Sequence, residues 1–274
     1  MTSPGPGIGK VFVTGGTSGL GLVLTKNFLE KGCDVVATGR KNITLPGYKG
    51  RFTLLRTDFS NLAQTSEAVR NICRDHWFDI VINNAGILSP PDFKLSDDGF
   101  EYTFQVNFLS HLLLSEIIIM NSDPGHPLMI ASVVSPVYRI AENDLRLHKP
   151  PEEYRPLMAY SASKLYLALM GSYLTGKYPG NSLKCIGFDP GTFSSGIYRM
   201  QKEWFRIMYR IAAPFMRSPE KVAAGFEEVI KRKDLADGAV YRSGKGKGRI
   251  PFAETSAVKA FWKECDKILE KYVS

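Results

Sequence analysis

The sequence predicts an α/β fold in which a parallel sheet is covered by helices on both faces. Strand-like and helix-like stretches alternate along the 274 residues, which is typical of parallel strands joined by helical crossovers. Apolar residues make up 44% of the chain and charged residues 23%, the composition of a globular protein with a sizeable core. No repeat or linker divides the chain, so residues 1–274 are predicted to form one domain.

The first predicted strand runs into a glycine-rich turn. Residues 10–13 are rich in β-branched and aromatic side chains, and Gly15, Gly19 and Gly21 follow in the pattern Gly-x-x-x-Gly-x-Gly. Apolar residues then recur at helical spacing, so a helix is predicted from near Ser18. A strand that turns through glycines into a helix N-terminus presents backbone N–H groups to an anion, which indicates a nucleotide site. The alternative is a glycine-rich turn with no role in binding.

The rest of the chain supplies the other strands and helices of such a sheet. Strands are predicted at residues 34–38, 52–56, 79–83, 127–132, 183–188 and 239–242. Helices are predicted at residues 62–75, 99–120, around 160–164, 219–232 and 256–272. A polar, proline-containing insertion at about residues 142–156 precedes the helix that contains Tyr160.

The charge of the chain gives no sign of a nucleic-acid partner. The net charge is +8, and the basic residues are mostly scattered. One compact basic run, residues 245–249, is interpreted as a solvated loop rather than as a phosphate-binding patch. The modest positive excess is compatible with an anionic cofactor, with an anionic membrane surface or simply with solubility.

The cysteines and apolar runs indicate a cytoplasmic protein. Cysteines at positions 33, 73, 185 and 265 match neither a metal site nor a disulfide framework, so no metal is expected and reduced thiols are the default. Residues 1–7 do not combine a charged stretch with an apolar one, which argues against a secretory signal. The longest apolar run, residues 112–120, contains Ser115 and Glu116 and is too short to span a bilayer.

Tyr160 and Lys164 are the sharpest candidates for catalysis. Residues four apart lie on one face of a helix. A phenol has an ordinary pKa of about 10, and a neighbouring ammonium lowers that pKa, which makes the phenol a usable acid and base. Taken alone, the pair is more typical of a solvated helix face, so the rest of the sequence has to decide.

Six motifs occur in order, each at a predicted strand end or inside a predicted helix: Gly15-x-x-x-Gly19-x-Gly21, Asn83-Asn-Ala-Gly86, Asn107, Ser132, Tyr160-x-x-x-Lys164 and Pro190-Gly191. Together they resemble the short-chain dehydrogenase/reductase family over about residues 9–272. The insertion before Tyr160, the ending Gly238-Ala-Val-Tyr241 and a helix with Trp262 are similar to the retinol-dehydrogenase-like branch.

This resemblance implies a Rossmann-type fold. The expected architecture is a doubly wound parallel sheet of about seven strands, in the order 3-2-1-4-5-6-7, within three α/β/α layers. A variable substrate lid is expected at about residues 192–218. The implied activity is hydride transfer between a nicotinamide cofactor and a carbonyl or alcohol group.

Four residues have catalytic roles by the same resemblance. Tyr160 would be the general acid in carbonyl reduction and the base in alcohol oxidation, and Lys164 would lower the pKa of Tyr160 and hold the nicotinamide ribose. Ser132 would hydrogen-bond the substrate oxygen, and Asn107 would support Lys164 in a proton relay. Ser132 is preferred to Ser135 because the family places its serine directly after the strand, with a small residue three positions later.

The end of the second strand favours NADP(H) over NAD(H). NAD enzymes commonly carry an acidic residue there, which binds the ribose 2′-hydroxyl and would repel a 2′-phosphate. Here the position is Gly39, followed by Arg40 and Lys41, and arginine binds phosphate through a planar fork of donors. The alternative is that Arg40 is a surface residue that stacks on adenine. By motif and resemblance, the residues expected to contact the cofactor are Gly15, Thr17, Ser18, Gly19, Leu20, Gly21, Arg40, Lys41, Asp58, Asn84, Ala85, Gly86, Tyr160, Lys164, Pro190, Gly191, Thr192 and Ser195.

The substrate is expected to be a ketone, aldehyde or alcohol on a hydrophobic small molecule. The expected lid is rich in large apolar side chains, namely Trp204, Phe205, Met208, Tyr209, Phe215 and Met216. They suit a bulky apolar ligand, and packing of the lid against the core is an equal alternative. Basic residues among them would also suit a helix lying on an anionic membrane: Arg199, Lys202, Arg206 and Arg210.

The sequence leaves two questions open: whether the protein is a homodimer or a monomer, and whether it is an enzyme. The helices that carry Asn107 and Tyr160 form a dimer interface in many members of the family, and the apolar runs 112–114 and 117–119 are compatible with a homodimer or with burial in a monomer. The competing function is a non-catalytic NADP(H)-binding sensor or scaffold. The presence of all four catalytic residue types argues against it.

Overall fold

In the part of the chain that the structure describes, one sheet of eight strands forms the centre. The computed structural model describes residues 9–141, 145, 150–193, 201, 203, 216–248 and 255–273. Within these ranges the strands are β1 (Lys10–Val13), β2 (Asp34–Thr38), β3 (Phe52–Leu55), β4 (Ile80–Asn83), β5 (Leu128–Val133), β6 (Leu183–Phe188), β7 (Val240–Arg242) and β8 (Lys245–Gly248). The helices described there are α1 (Gly19–Glu30), α2 (Leu62–Cys73), α3 (Tyr102–Met120), α4 (Pro156–Lys177), α5 (Pro219–Ile230) and α6 (Ser256–Val273).

The strands lie side by side in the order β3-β2-β1-β4-β5-β6-β7-β8. All neighbouring pairs from β3 to β7 are parallel, which confirms the predicted order of seven strands. Strands β2 and β3 are added on one side of β1, and strands β4 to β7 are added on its other side, so the strand order switches between β1 and β4. In open α/β sheets, ligands bind at such a switch point, beyond the carboxyl ends of the strands.

Strand β1 contributes to two apolar layers, one on each face of the sheet. Val11 and Val13 pack on the side of α1 and α5, with Leu24 and Phe226 among their cluster. Phe12 points to the opposite side, where α2, α3, α4 and α6 lie. This alternation along one strand is the reason that a sheet covered on both faces needs apolar residues at consecutive positions.

The basic run near the C-terminus is strand β8 rather than the predicted solvated loop. It pairs antiparallel with β7, with Arg242 opposite Lys245 and Val240 opposite Gly248. Gly244 makes the reversal possible, since its φ of 66° lies in the left-handed region that favours glycine. The short hairpin adds an eighth strand at the sheet edge that the strand pattern did not predict.

Helix α3 starts later than predicted. The apolar pattern covers residues 99–120, but Gly99 has a φ of 83°, and the carboxylate of Glu101 accepts the N–H of Thr103 at 2.9 Å. These features terminate the preceding turn and cap the helix, which therefore begins at Tyr102. Counted as one helix, α3 has 19 residues and is long and apolar enough to cross a membrane, and 94% of that apolar window is buried within the fold.

Helix α6 covers the outer face of α3 and α4. Phe261 stacks on Tyr166 with ring centroids 4.6 Å apart, and Trp262 stacks on Tyr173 at 4.0 Å. The apolar runs of α3 at residues 112–114 and 117–119 are at most 1% exposed. Their burial is therefore achieved within a single chain.

Much of the predicted lid lies outside the described residues. This applies to the cofactor candidate Ser195 and to the lid residues Arg199, Lys202, Trp204, Phe205, Arg206, Met208, Tyr209, Arg210 and Phe215. In the polar insertion, residues 142–144 and 146–149 also lie outside, and Pro151–Glu153 form one 3₁₀ turn before α4.

Candidate active site

The glycine turn after β1 lies close against the start of α1. Gly15 and Gly19 have φ values of 65° and 53°. A Cβ added at Gly21 would lie 2.3 Å from the carbonyl oxygen of Gly15, so a side chain there would force the turn and the helix apart. Ser18 is the N-cap residue, and its side chain makes no capping hydrogen bond. The N–H groups of the first turn, which contains Leu20, are therefore left for an anion.

Thr14 joins this turn to the one that follows β4. Its hydroxyl accepts hydrogen bonds from the N–H groups of Asn84 and Ala85, each at 2.8 Å. The side-chain amide of Asn84 in turn donates to the Thr14 carbonyl at 2.8 Å. Added Cβ atoms at Gly15 and Gly21 would lie 3.3 and 2.5 Å from the same amide nitrogen. The two turns therefore form one rigid unit at the switch point of the sheet.

Asn107 holds the end of that second turn. It lies in a π-helical turn, Gln105–Leu109, inside α3, and such turns recur at functional sites. Its Oδ1 accepts the N–H of Ile87 at 2.8 Å, while its Nδ2 donates to the Ile87 carbonyl at 2.9 Å and to the Ser163 hydroxyl at 3.1 Å. Both donors of the Asn107 amide are thus engaged with the protein itself.

Lys164 is buried one helical turn after Tyr160 in α4. Its Nζ donates to the carbonyl of Val133 at 3.0 Å and lies 5.9 Å from the centre of the Tyr160 ring. Burial lowers the pKa of Lys164 from 10.5 to about 8, because the ammonium loses its hydration. A Cβ at Gly86 would lie 3.4 Å from both Lys164 Nζ and Asn107 Oδ1, so this glycine leaves room for both groups.

Ser132 and Ser135 occupy different structural positions. Ser132 is near the end of β5, is 3% exposed, and directly precedes Val133, whose carbonyl binds Lys164. Ser135 instead begins the 3₁₀ turn Pro136–Ile140. Of the two serines, Ser132 is the one next to the residue that binds the buried lysine.

Thr17 fills the space beside Gly39 at the end of β2. A Cβ added at Gly39 would lie 2.2 Å from Thr17 Cγ2 and 2.4 Å from Thr17 Oγ1. The Thr17 Cβ, at 2.9 Å, would also be too close, so rotation of the Thr17 side chain alone would not relieve the clash. Arg40 and Lys41 come next and are exposed.

The other predicted cofactor residues lie beyond β3 and β6. Asp58 follows β3, and its carboxylate accepts the Ser60 hydroxyl at 2.9 Å. After β6 the described loop contributes Pro190, Gly191 and Thr192. Gly191 has a φ of 70° and donates its N–H to the carboxylate of Asp189 at 2.8 Å, which fixes the turn. These groups lie at the carboxyl edge of the sheet, the same edge as the glycine turn.

Among the residues that the structure describes, Thr14, His111 and Ser163 contact the site and are absent from the sequence prediction. Thr14 directly precedes the first glycine of the turn. His111 follows Asn107 by four residues, and Ser163 precedes Lys164 by one. Helical spacing from Asn107 is a signal that could have identified His111, because residues four apart share a helix face.

Comparison with known proteins finds relatives of this chain. A family model described as short chain dehydrogenase matches residues 9–142. Polyprenol dehydrogenase of Homo sapiens is 27% identical over 203 residues, which cover 68% of this chain and 61% of that protein. Retinol dehydrogenase 14 of Mus musculus is 28% identical over 221 residues, which cover 72% of this chain and 65% of that protein. The chain spans less than two thirds of the length of these relatives.

A solved structure shares the fold. A short-chain dehydrogenase from Sphingobium yanoikuyae in complex with NADPH matches with a TM-score of 0.64 at 16% identity, covering 96% of this chain and 95% of that chain. Other solved structures of the same fold are complexes with NADP or with NAD.

Proposed function

We propose that this chain, whose residues 9–142 match the short chain dehydrogenase family model, is an NADP(H)-dependent oxidoreductase that reduces a ketone or aldehyde on a hydrophobic small molecule, or oxidises the alcohol. The observation that carries this proposal is the convergence of Asn107 and Lys164 on Gly86, with Tyr160 one helical turn from the lysine. That cluster adjoins the two turns tied together by Thr14.

The residues around the glycine turn fit a dinucleotide. A side chain at Gly21 would force the turn away from α1, and the uncapped N-terminus of α1 offers N–H groups to the phosphates. The backbone of Asn84, Ala85 and Gly86 would hold the ribose of the adenosine half, and Lys164 the ribose of the nicotinamide half. When bound, the nicotinamide supplies the hydride in reduction and accepts it in oxidation.

Space and charge at the end of β2 support a preference for NADP(H). An acidic side chain at Gly39, the feature that favours NAD, would collide with Thr17. Arg40 is exposed directly beside this point, where its guanidinium is free to approach a 2′-phosphate. The proposed preference for NADP(H) rests on two features: Thr17 leaves no room for a carboxylate side chain at Gly39, and Arg40 places a cation next to it.

The chain's own groups perform the proton chemistry. In reduction, the Tyr160 phenol donates a proton to the substrate oxygen, and the Ser132 hydroxyl hydrogen-bonds the same oxygen as negative charge develops. Lys164, whose pKa is about 8, carries a positive charge at neutral pH and favours the phenolate form of Tyr160. In oxidation the phenolate of Tyr160 takes the proton of the alcohol.

The proposal extends to substrate class and location. The names of two relatives refer to polyprenol and retinol, which supports an apolar alcohol or carbonyl compound as substrate for this chain. We place the protein in the cytoplasm, with no nucleic-acid partner. Peripheral contact with an anionic membrane and a homodimer are compatible with this function, and neither is required by the contacts of the described residues.

The test is an assay of NADPH and NADH consumption with small and bulky apolar ketones and aldehydes, using wild type and Arg40→Leu. Wild type should turn over with NADPH, and Arg40→Leu should weaken NADPH binding by about tenfold or more, the contribution of one charge-assisted hydrogen bond. NADH is the matched control, because it lacks the 2′-phosphate. Gly39→Asp is a poorer probe, since it also displaces Thr17.

Two results would contradict parts of this proposal. If wild type prefers NADH, the interpretation of Gly39 and Arg40 is wrong. If the protein binds NADPH but transfers hydride to none of the carbonyl compounds, a sensor or scaffold is the better description.

A further inference from the structure

His111 connects the two halves of the candidate site from inside the core. It is fully buried in α3, two residues after the π-helical turn. Its Nε2 lies 2.9 Å from the Thr14 hydroxyl, and its Nδ1 lies 2.9 Å from the backbone carbonyl of Asn107. The ring packs edge-on against Phe59, with centroids 5.1 Å apart, which fixes its plane.

The neighbours of the ring determine its tautomer. A carbonyl oxygen can only accept, so Nδ1 carries the proton and donates to Asn107. Nε2 is then an acceptor, and the Thr14 hydroxyl donates to it. The carbonyl of Ile82 lies 3.3 Å from the same hydroxyl and is the poorer acceptor by distance.

A single path of hydrogen bonds therefore runs from the turn after β4, which is expected to hold the cofactor, to Asn107 in α3. The Thr14 hydroxyl accepts the N–H groups of Asn84 and Ala85 and donates to His111, which donates to Asn107. Burial lowers the pKa of His111 to about 3, so the ring stays neutral and Nε2 stays an acceptor near neutral pH.

We propose that His111 is a positioning residue, which holds the backbone carbonyl of Asn107 in a fixed place relative to the cofactor turn; this rests on the function proposed above. The Asn107 side chain is taken up by Ile87 and Ser163, so the backbone is the part that shifts when His111 is changed. Because Asn107 and Lys164 border the same glycine, such a shift misplaces the acid/base groups. A misplacement of about 1 Å can cost about 100-fold in rate.

Three substitutions separate the two hydrogen bonds. His111→Phe keeps a ring and removes both bonds. His111→Asn keeps a donor to the carbonyl four residues back, the bond that Asn121 makes to Ile117 in this chain at 2.8 Å. His111→Gln is long enough to meet Thr14 and loses the bond to Asn107.

Turnover should fall about 10- to 100-fold in His111→Phe and His111→Gln and stay within about threefold of wild type in His111→Asn. The KM of the carbonyl substrate and the NADPH Kd should change by less than about threefold, since no ligand contact is removed. The matched control is Ser115→Ala, which removes a buried bond to Asn83 one turn further along α3 and should lower Tm without changing kcat.

Two outcomes overturn the proposal: wild-type kcat in His111→Phe, or equal loss of kcat in His111→Asn and His111→Gln. If His111→Phe does not fold, the comparison of the other two variants still decides. Failure of the proposed function appears separately, as a wild type that binds NADPH without hydride transfer. In that case NADPH should protect the amides of residues 105–109 from hydrogen exchange in wild type and His111→Asn but not in His111→Gln. Equal protection in all three proteins would overturn the proposal that His111 positions Asn107.

Discussion

Helix α4 carries two tyrosine–lysine pairs with the same spacing, Tyr160 with Lys164 and Tyr173 with Lys177. Lys164 is 3% exposed and bonds to a backbone carbonyl, with burial as the cause of its lowered pKa. Lys177 lies between two carboxylates, with its Nζ 2.6 Å from each, and these partners raise its pKa despite partial burial. The two lysines are thus shifted in opposite directions on one helix.

The two tyrosines also have different neighbours. Tyr173 donates its hydroxyl to Asp266 and stacks on Trp262. Burial, with the hydrogen bond to Asp266, raises the pKa of Tyr173 further above its ordinary value, which makes its phenol a poorer acid. Tyr160 instead has a buried ammonium for a neighbour, 5.9 Å from its ring centre.

This comparison shows that the Tyr-x-x-x-Lys spacing does not by itself determine the environment of the two side chains. The same spacing also occurs at residues 198–202 and 241–245. What distinguishes the first pair on α4 is the position of its lysine beside Gly86, at the carboxyl edge of the sheet. The second pair stabilises the packing of α6 on α3 and α4.

The largest expected difference is in turnover. Tyr160→Phe should reduce kcat by about two to four orders of magnitude, because the ring stays and the transferable proton is lost. Tyr173→Phe is the matched control on the same helix, and its kcat should stay close to wild type. Steady-state kinetics with NADPH and a carbonyl substrate measure both values. A large loss in Tyr173→Phe, or a small one in Tyr160→Phe, would invalidate the assignment of the two pairs.

The next difference concerns stability at pH 7. Lys177→Met leaves Glu116, which is 1% exposed, without its cation, and should lower the free energy of unfolding by about 1–3 kcal/mol. The effect is less than for a fully buried pair, because the Lys177 side chain is 31% exposed. Lys164→Met should leave stability unchanged or raise it, since it removes a buried ammonium. Urea unfolding measures the free energy of unfolding of both variants. The prediction is wrong if Lys164→Met is the more destabilising substitution.

The smallest difference is the dependence of stability on alkaline pH. Folded Lys164 loses its proton near pH 8, whereas the unfolded chain keeps it to about 10.5, so its contribution to stability should rise with pH across that window. Lys177 has a raised pKa, so its contribution is complete below 10.5 and is lost as the pH rises through the folded value. Stability of wild type minus each variant, measured from pH 7 to 11, should show opposite slopes. Parallel slopes would mean that the two lysines share one kind of environment.

Local patterns in the sequence predicted most of the fold. The strand at residues 34–38 and the strand at residues 183–188 have the predicted bounds, and the order of seven parallel strands agrees with the resemblance to the family. Periodicity within one strand or helix, and the glycines between them, depend on residues close in sequence, so no knowledge of packing is needed. The candidate residues of the glycine turn and of α4 also form local motifs, whereas those of the β4 turn were named from the resemblance to the family.

Contacts between distant residues were decided by the tertiary structure alone. Thr14 and His111 are 97 residues apart, and the contact of Thr17 with Gly39 and the covering of α3 by α6 also join separate elements. Lys164 and Lys177 each follow a tyrosine by four residues, and their opposite pKa shifts come from the groups that pack around them. The sequence by itself determined most of the elements, though not strand β8, and the residue types that reach the edge of the sheet. Burial and neighbouring charge, which arise only when the elements pack, decided the chemical state of each lysine.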